Sequence, residues 1–316
     1  PSTAALPAPP DAARVVVADV ATTPEAEAWL FGGQATFDAR LFNQRLSAYA
    51  ATGPAAREQI DQARQIAASQ FGSHSTDLFF SGSEKQCVAA VKATPPLSQV
   101  AIYWQSVLGA KHWATVGHTP RVLLGHSFGE TAALSVAGCF DLPTGTRVVC
   151  TRIQAVAELA PAGGGLLVVS ADGPTVEAQV RQLGLAEVVL AGRNHPSQIV
   201  MSGPLEELQR LKAHLQAIHV SAVNIDSPTA FHHPRLQPAA SKWLAALREL
   251  PLQPARLAVY SPIYQRMLTA GDEIATVLSE QLIRPFDFQE AIAEMLRSGV
   301  TNFVDCGSSG TIARLW

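Results

Sequence analysis

The segment Gly125-His126-Ser127-Phe128-Gly129 has the residue types and spacing that point most directly to chemistry. It is a G-x-S-x-G set between a short apolar run, Val122-Leu123-Leu124, and a helical stretch at 130–137. Glycines on both sides let the chain turn sharply from strand to helix and keep bulk away from the serine. Ser127 Oγ would then stand at the top of a sheet, beside helix N–H groups that favour developing negative charge. That setting suits a nucleophile; the plainer alternative is a serine that caps a helix. A nucleophilic serine needs a base, and His126, His232 and His233 are the candidates. His126 adjoins Ser127, so its ring is expected to point away from the hydroxyl. His232 and His233 lie in Ala230-Phe231-His232-His233-Pro234, a loop that could deliver a second catalytic group or simply hold two solvated histidines.

The elements around this segment read as α/β. The run 28–31 predicts a strand ending in the turn Gly32-Gly33-Gln34. Helical spacing of Leu41, Leu46 and Ile60 covers 36–70, and 97–109 reads as a buried helix. From Gly165 the pattern changes to strand 166–169, helix 175–183, strands 187–190 and 198–201, helix 204–217 and strand 220–225. That βαββαβ order is the ferredoxin-like unit. It interrupts what reads as one larger α/β domain, which resumes with a helix at 288–297 and a strand at 302–304. The expected organisation is a linker at 1–26, a large subdomain from 27–160 and 226–316, and a small inserted subdomain at 161–225. Residues 13–20 could add a strand without a clear place.

Composition narrows the function. The chain has 316 residues, 47% of them apolar and 16% charged, with a formal charge of −3. This allows a substantial core and gives no electrostatic footprint for nucleic acid. No apolar stretch approaches a membrane span. Cys87, Cys139, Cys150 and Cys306 form no C-x-x-C and sit beside no histidine at metal-ligand spacing, so they read as buried hydrophobes in a reducing compartment, the cytoplasm. No metal or redox cofactor is expected.

Several motifs, in order along nearly the whole chain, resemble the malonyl-CoA:acyl-carrier-protein transacylase family, which includes acyltransferase domains of polyketide and fatty-acid synthases. Phe31-Gly32-Gly33-Gln34 is similar to F-P-G-Q-G, and Gly125 to Glu130 matches G-H-S-x-G-E. Arg152 stands where that family has a carboxylate-binding arginine. The segment 194–203, Ala230-Phe231-His232, and the closing segment 305–315 resemble three further family motifs. The resemblance implies an α/β-hydrolase-like large subdomain with a ferredoxin-like insert. It implies Ser127 as nucleophile, His232 as base, and backbone N–H groups of Gln34 and Phe128 as oxyanion hole. Arg152 would hold a malonyl-type carboxylate, with His126, Phe231 and Thr229 lining the acyl pocket. The histidine would be oriented by a main-chain carbonyl in 281–285 rather than by an acid. The substrates implied are an acyl-CoA and an acyl carrier protein bearing phosphopantetheine, with neighbouring synthase domains as further partners.

Departures bear on the acyl group. Pro95 replaces a glutamine that often lines the pocket, and Thr229 stands where malonyl-selecting domains commonly have His and methylmalonyl-selecting ones Tyr. Phe128 and Phe231 suggest a crowded pocket suited to unbranched malonyl. Other readings are a starter-unit transferase for an uncharged acyl group, a thioester hydrolase on the same fold, and a non-catalytic docking module. Arg152 speaks against the hydrolase, and the Ser127–His232 pair against the module.

Overall fold

Short runs, the central ones apolar, form the strands of two sheets, and longer segments form the helices that cover them. The computed structural model describes residues 26–315, apart from 34, 35, 82, 226, 308 and 309. Strand β1 (Glu27–Phe31) precedes helices α1 (Ala39–Ala51), α2 (Pro54–Phe71), α3 (Ser73–Ser81), α4 (Glu84–Ala93) and α5 (Leu97–Thr115). Strand β2 (Pro120–Gly125) leads through a single 3-10 turn (Ser127–Gly129) into α6 (Glu130–Val136) and α7 (Leu142–Leu159). Next come β3 (Gly164–Val169), α8 (Gly173–Gln182), β4 (Val189–His195), β5 (Gln198–Pro204), α9 (Leu205–Ala217) and β6 (Ala222–Ile225). The chain ends with α10 (Gln237–Arg248), β7 (Val259–Ser261), β8 (Arg266–Met267), α11 (Ile274–Glu280), β9 (Phe286–Asp287), α12 (Phe288–Arg297) and β10 (Asn302–Asp305).

The first sheet runs β10-β1-β2-β7-β8 and is parallel except for its last pair. Its central strands are covered on both faces, so Ala28 to Phe31 and Val122 to Gly125 are buried without alternation. Helix α5 is buried continuously from Val100 to Ala110, which is why it reads as apolar all round. The carboxyl ends of β1, β2 and β10 lie level, with Phe31 opposite Gly125 and Leu30 opposite Asp305. Ser127 follows β2 at that end, where ligands of open parallel sheets bind.

The second sheet runs β6-β3-β5-β4-β9. Its first four strands are antiparallel, and their alternation serves two cores. Leu167 and Val169 pack with Val176, Leu208, Leu211 and Leu215 of α8 and α9, while Leu166 and Val200 face the larger core. Strand β9 joins β4 in parallel, although it comes from the C-terminal segment. The molecule is thus a mixed α/β fold with two sheets, the second completed by a strand from outside the middle segment.

The structure differs from the sequence reading in several places. The helical stretch 36–70 breaks into α1 and α2 at Gly53, whose φ of 146° and following proline end one helix and start the next. The strand expected at 187–190 runs instead at Val189–His195, and the last strand of the middle segment starts at Ala222. Helix α8 begins earlier than expected because Asp172 caps it through Thr175 N. Helices α3, α4, α7, α10 and α11 and the strands β7 to β9 have no counterpart in the sequence reading. The strand proposed at 13–20, and the linker except for residue 26, lie outside the described residues. All four cysteines are buried and unpaired. No described helix is long and apolar enough to cross a membrane.

Candidate active site

The turn after β2 needs both of its glycines. A Cβ on Gly125 would come within 2.1 Å of Glu130 N, and one on Gly129 within 2.1 Å of Phe31 O. Contacts that short force the backbone apart, so only glycine lets β1, β2 and α6 approach so closely. Ser127 takes a left-handed backbone, φ 52°, within this turn. Phe128 follows in the first helical turn, where backbone N–H groups have no partner one turn back. Gln34, the other oxyanion donor expected, lies outside the described residues.

Ser127 Oγ lies 2.6 Å from His232 Nε2. His232 Nδ1 lies 2.9 Å from the carbonyl of Arg284, within the segment expected to orient the histidine. A carbonyl only accepts, so Nδ1 carries the proton and Nε2 is left to accept from the serine hydroxyl. Among the described residues, no acid pairs with this ring. His232 is buried, with its own φ at 58°. Burial is the main force that pushes its imidazole down to about 4, with the charges of Arg152 and His126 adding and the Arg284 carbonyl opposing. A base with that value is neutral at pH 7. Its acylation rate is therefore expected to hold as pH falls below the ordinary 6.5 and to drop only near 4, read as the acid limb of single-turnover acylation. A half-point at 6.5 contradicts this.

The other two histidines are engaged elsewhere. His233 Nε2 lies 2.9 Å from Glu187 O, and its Nδ1 accepts from Arg235 N at 3.0 Å, so the ring ties the loop to the middle segment. His126 Nε2 donates to Asn194 Oδ1 at 2.7 Å, and Asn194 Nδ2 is held by Gln198 Oε1 at 2.9 Å. The His126 and His232 rings both meet Phe286 edge-on, at 4.9 and 5.0 Å between centroids. Thr229 is buried, and its carbonyl accepts from Phe231 N at 3.0 Å in the turn that delivers Phe231 and His232.

Arg152, on α7, is only 3% exposed. Its guanidinium carbon sits 4.6 Å from the Phe231 ring centroid, 5.0 Å from Phe128 and 5.9 Å from Trp243. Phe128 adjoins Ser127 and Phe231 adjoins His232, so this aromatic box brings the cation to the serine–histidine pair. Nη1 donates to Gln99 Oε1, and Nε is buried without a partner. Among the described residues, no carboxylate pairs with it. Burial lowers its value to about 9, which still leaves it protonated at pH 7. The site therefore holds a hydroxyl, a neutral base and a dry cation that no carboxylate among the described residues neutralises.

Sequence reasoning missed Gln99, Asn194 and Trp243 as members of this site. Asn194 lies inside a quoted motif, but nothing in sequence shows that it faces His126. Gln99 stands one helical turn beyond Pro95, and that i+4 spacing is the signal that could have suggested it.

The family profile described as "Acyl transferase domain" matches residues 46–311. The chain is 28% identical over 270 residues to the malonyl CoA-acyl carrier protein transacylase of Bacillus subtilis, covering 83% of this chain and 81% of that one. It is 27% identical over 288 residues to a PKS-NRPS hybrid synthetase of Aspergillus niger, covering 90% of this chain but 15% of the synthetase. The crystal structure of malonyl CoA-acyl carrier protein transacylase from Burkholderia pseudomallei superposes with a TM-score of 0.79 at 25% identity, covering 92% and 96% of the two chains.

Proposed function

This chain belongs to the acyl transferase domain family, and from that premise we propose that it carries a malonyl-type acyl group from coenzyme A, through an ester on Ser127, to the phosphopantetheine thiol of an acyl carrier protein. The observation that carries this reading is the Ser127–His232 contact beside a buried arginine with no acidic partner. The name of the Bacillus subtilis relative supports the donor and acceptor, and the Aspergillus niger synthetase supports neighbouring synthase domains as a setting. An acyl-CoA donor fits a cytoplasmic reaction.

In the first half-reaction, Ser127 Oγ attacks the thioester carbonyl as its proton passes to His232 Nε2. The oxygen that becomes negative would be stabilised by the backbone N–H of Phe128 and, as the family resemblance implies, that of Gln34. The C–S bond breaks, and the coenzyme A sulfur takes the proton back from Nε2. In the second half, His232 removes the proton of the phosphopantetheine thiol, the sulfur attacks the ester, and the proton returns to Ser127. The Arg284 carbonyl stabilises the imidazolium formed in each half. The side-on edge of Arg152 would pair with the malonyl carboxylate, since Gln99 already engages Nη1. His126, Phe231 and Thr229 line the pocket in this reading.

The architecture belongs to the same reading. The βαββαβ order of 161–225 and the arrangement β6-β3-β5-β4 support a ferredoxin-like insert, with β9 lent to it by the larger part. The parallel sheet and the turn at Ser127 support an α/β-hydrolase-like subdomain made of 27–160 and 226–316.

The test is intact-protein mass after incubation with malonyl-, methylmalonyl- and acetyl-CoA together. One malonyl group should stay on Ser127 until holo carrier protein is added. Acetyl alone would transfer the assignment to a starter-unit enzyme, rapid loss to water to a hydrolase, and no adduct to a docking module.

A further inference from the structure

We propose that Glu130 is a positioning residue for the reacting pair: its carboxyl group, held as the neutral acid, donates a hydrogen bond to the side chain of Gln281. Both groups are almost completely buried, at 1% exposure each. Gln281 Nε2 donates to the Ser127 carbonyl at 2.9 Å. Its Oε1 is buried with no donor, and both oxygens of Glu130 are buried with no partner. Buried acceptors are costly to leave bare, and a proton on the Glu130 carboxyl supplies the donor that Gln281 Oε1 lacks. Gln281 and Ser261 are the polar side chains that face the Glu130 carboxyl, and no cation is among its neighbours of consequence. Burial without a cation drives the carboxyl up to about 7, against the pull of those two side chains.

The position of Gln281 gives this contact its reach. The turn 281–284 after α11 touches the reacting pair at two points and the residue beside its histidine at a third. Gln281 Nε2 grips the Ser127 carbonyl, Leu282 O accepts from His233 N at 3.2 Å, and Arg284 O accepts from His232 Nδ1. A Gln281 side chain anchored by Glu130 sets the distance from that turn to the serine backbone. It thereby sets how Ser127 Oγ meets His232 Nε2. Glu130 touches neither substrate nor reacting atoms.

This inference rests on Ser127 and His232 as the reacting pair, so its assay must work whatever the acyl group. The burst of p-nitrophenol from p-nitrophenyl acetate reports serine acylation in general, and malonyl-CoA reports it for the proposed substrate. Glu130→Met should lower the acylation rate roughly tenfold to a hundredfold while leaving KM for malonyl-CoA within about twofold. Glu130→Gln, which keeps a donor, should retain at least about a third of the wild-type rate. Glu130→Met combined with Gln281→Met should be no slower than Gln281→Met alone. In the infrared spectrum at mildly acidic pH, the wild type minus Glu130→Gln difference should show the C=O stretch of a protonated carboxyl, a readout that survives if Glu130→Met fails to fold. Additive effects in the double variant, a Glu130→Gln as slow as Glu130→Met, or a carboxylate signature in the difference spectrum each overturn the proposal. A wild type with no burst would instead overturn the proposed function.

Discussion

Replacement of Ser127 by alanine is expected to reduce acylation by at least roughly a thousandfold while the chain stays folded. The hydroxyl is what joins Ser127 to His232 Nε2, and the alanine side chain is smaller, so the turn between Gly125 and Gly129 can keep its course. His232→Ala is expected to cost a comparable factor, and the two together no more than either alone, because a nucleophile without its base and a base without its nucleophile are equally idle. His233→Ala is the control. Both of its ring nitrogens are already occupied by backbone groups of Glu187 and Arg235, so its loss should loosen the loop and leave most of the rate. Single-turnover acylation, followed by intact mass, measures all four. A normal rate in Ser127→Ala, or a larger loss in His233→Ala than in His232→Ala, contradicts the assignment.

Arg152→Ala is expected to lower malonyl transfer by roughly a hundredfold and to spare or improve acetyl transfer. A hydrogen bond to a charged group contributes about 1.5–3 kcal/mol, and a factor of ten corresponds to about 1.4 kcal/mol. The upper end applies because the guanidinium is 3% exposed and enclosed by Phe128, Phe231 and Trp243. Acetyl offers no carboxylate, so with acetyl the wild type leaves a dry cation unpaired, and the alanine variant does not. Arg152→Lys keeps the charge but loses the planar edge and the fit to Gln99, so it should fall between the two. The decisive quantity is the ratio of malonyl to acetyl kcat/KM. An unchanged ratio would make Arg152 a structural cation.

The parts of this architecture that local pattern controls could be read from sequence. G-x-S-x-G between an apolar run and a helix is a local device, and β2, the turn and α6 follow from it. Helix α12 was equally plain, because Phe288, Ala291, Ile292 and Met295 fall on one buried face and Asp287 caps its start. What long-range pairing decides was not legible. Strand β9 is two residues long, and only its partner β4 makes it a strand. Asn194 and His126 are 68 residues apart, with α6, α7, β3 and α8 between them, yet they meet because β4 runs on to His195. The split of 36–70 into two helices turned on Gly53 and Pro54, a signal present in the sequence but outvoted by the periodicity on either side.

Ser127 and His232 have one further feature in common. Among the described residues, four that are not glycine adopt a left-handed backbone, and these two are half of them. For an L-amino acid that conformation costs about 1–2 kcal/mol per residue, somewhat less for histidine. Two such residues together offset about 2–4 kcal/mol of a net stability that in ordinary domains is about 5–15 kcal/mol. A glycine at either position would relax the chain and abolish the reaction. At these two sites thermodynamic ease and chemical competence pull in opposite directions. A search for hardier variants that scores only melting temperature would therefore drift toward inert ones.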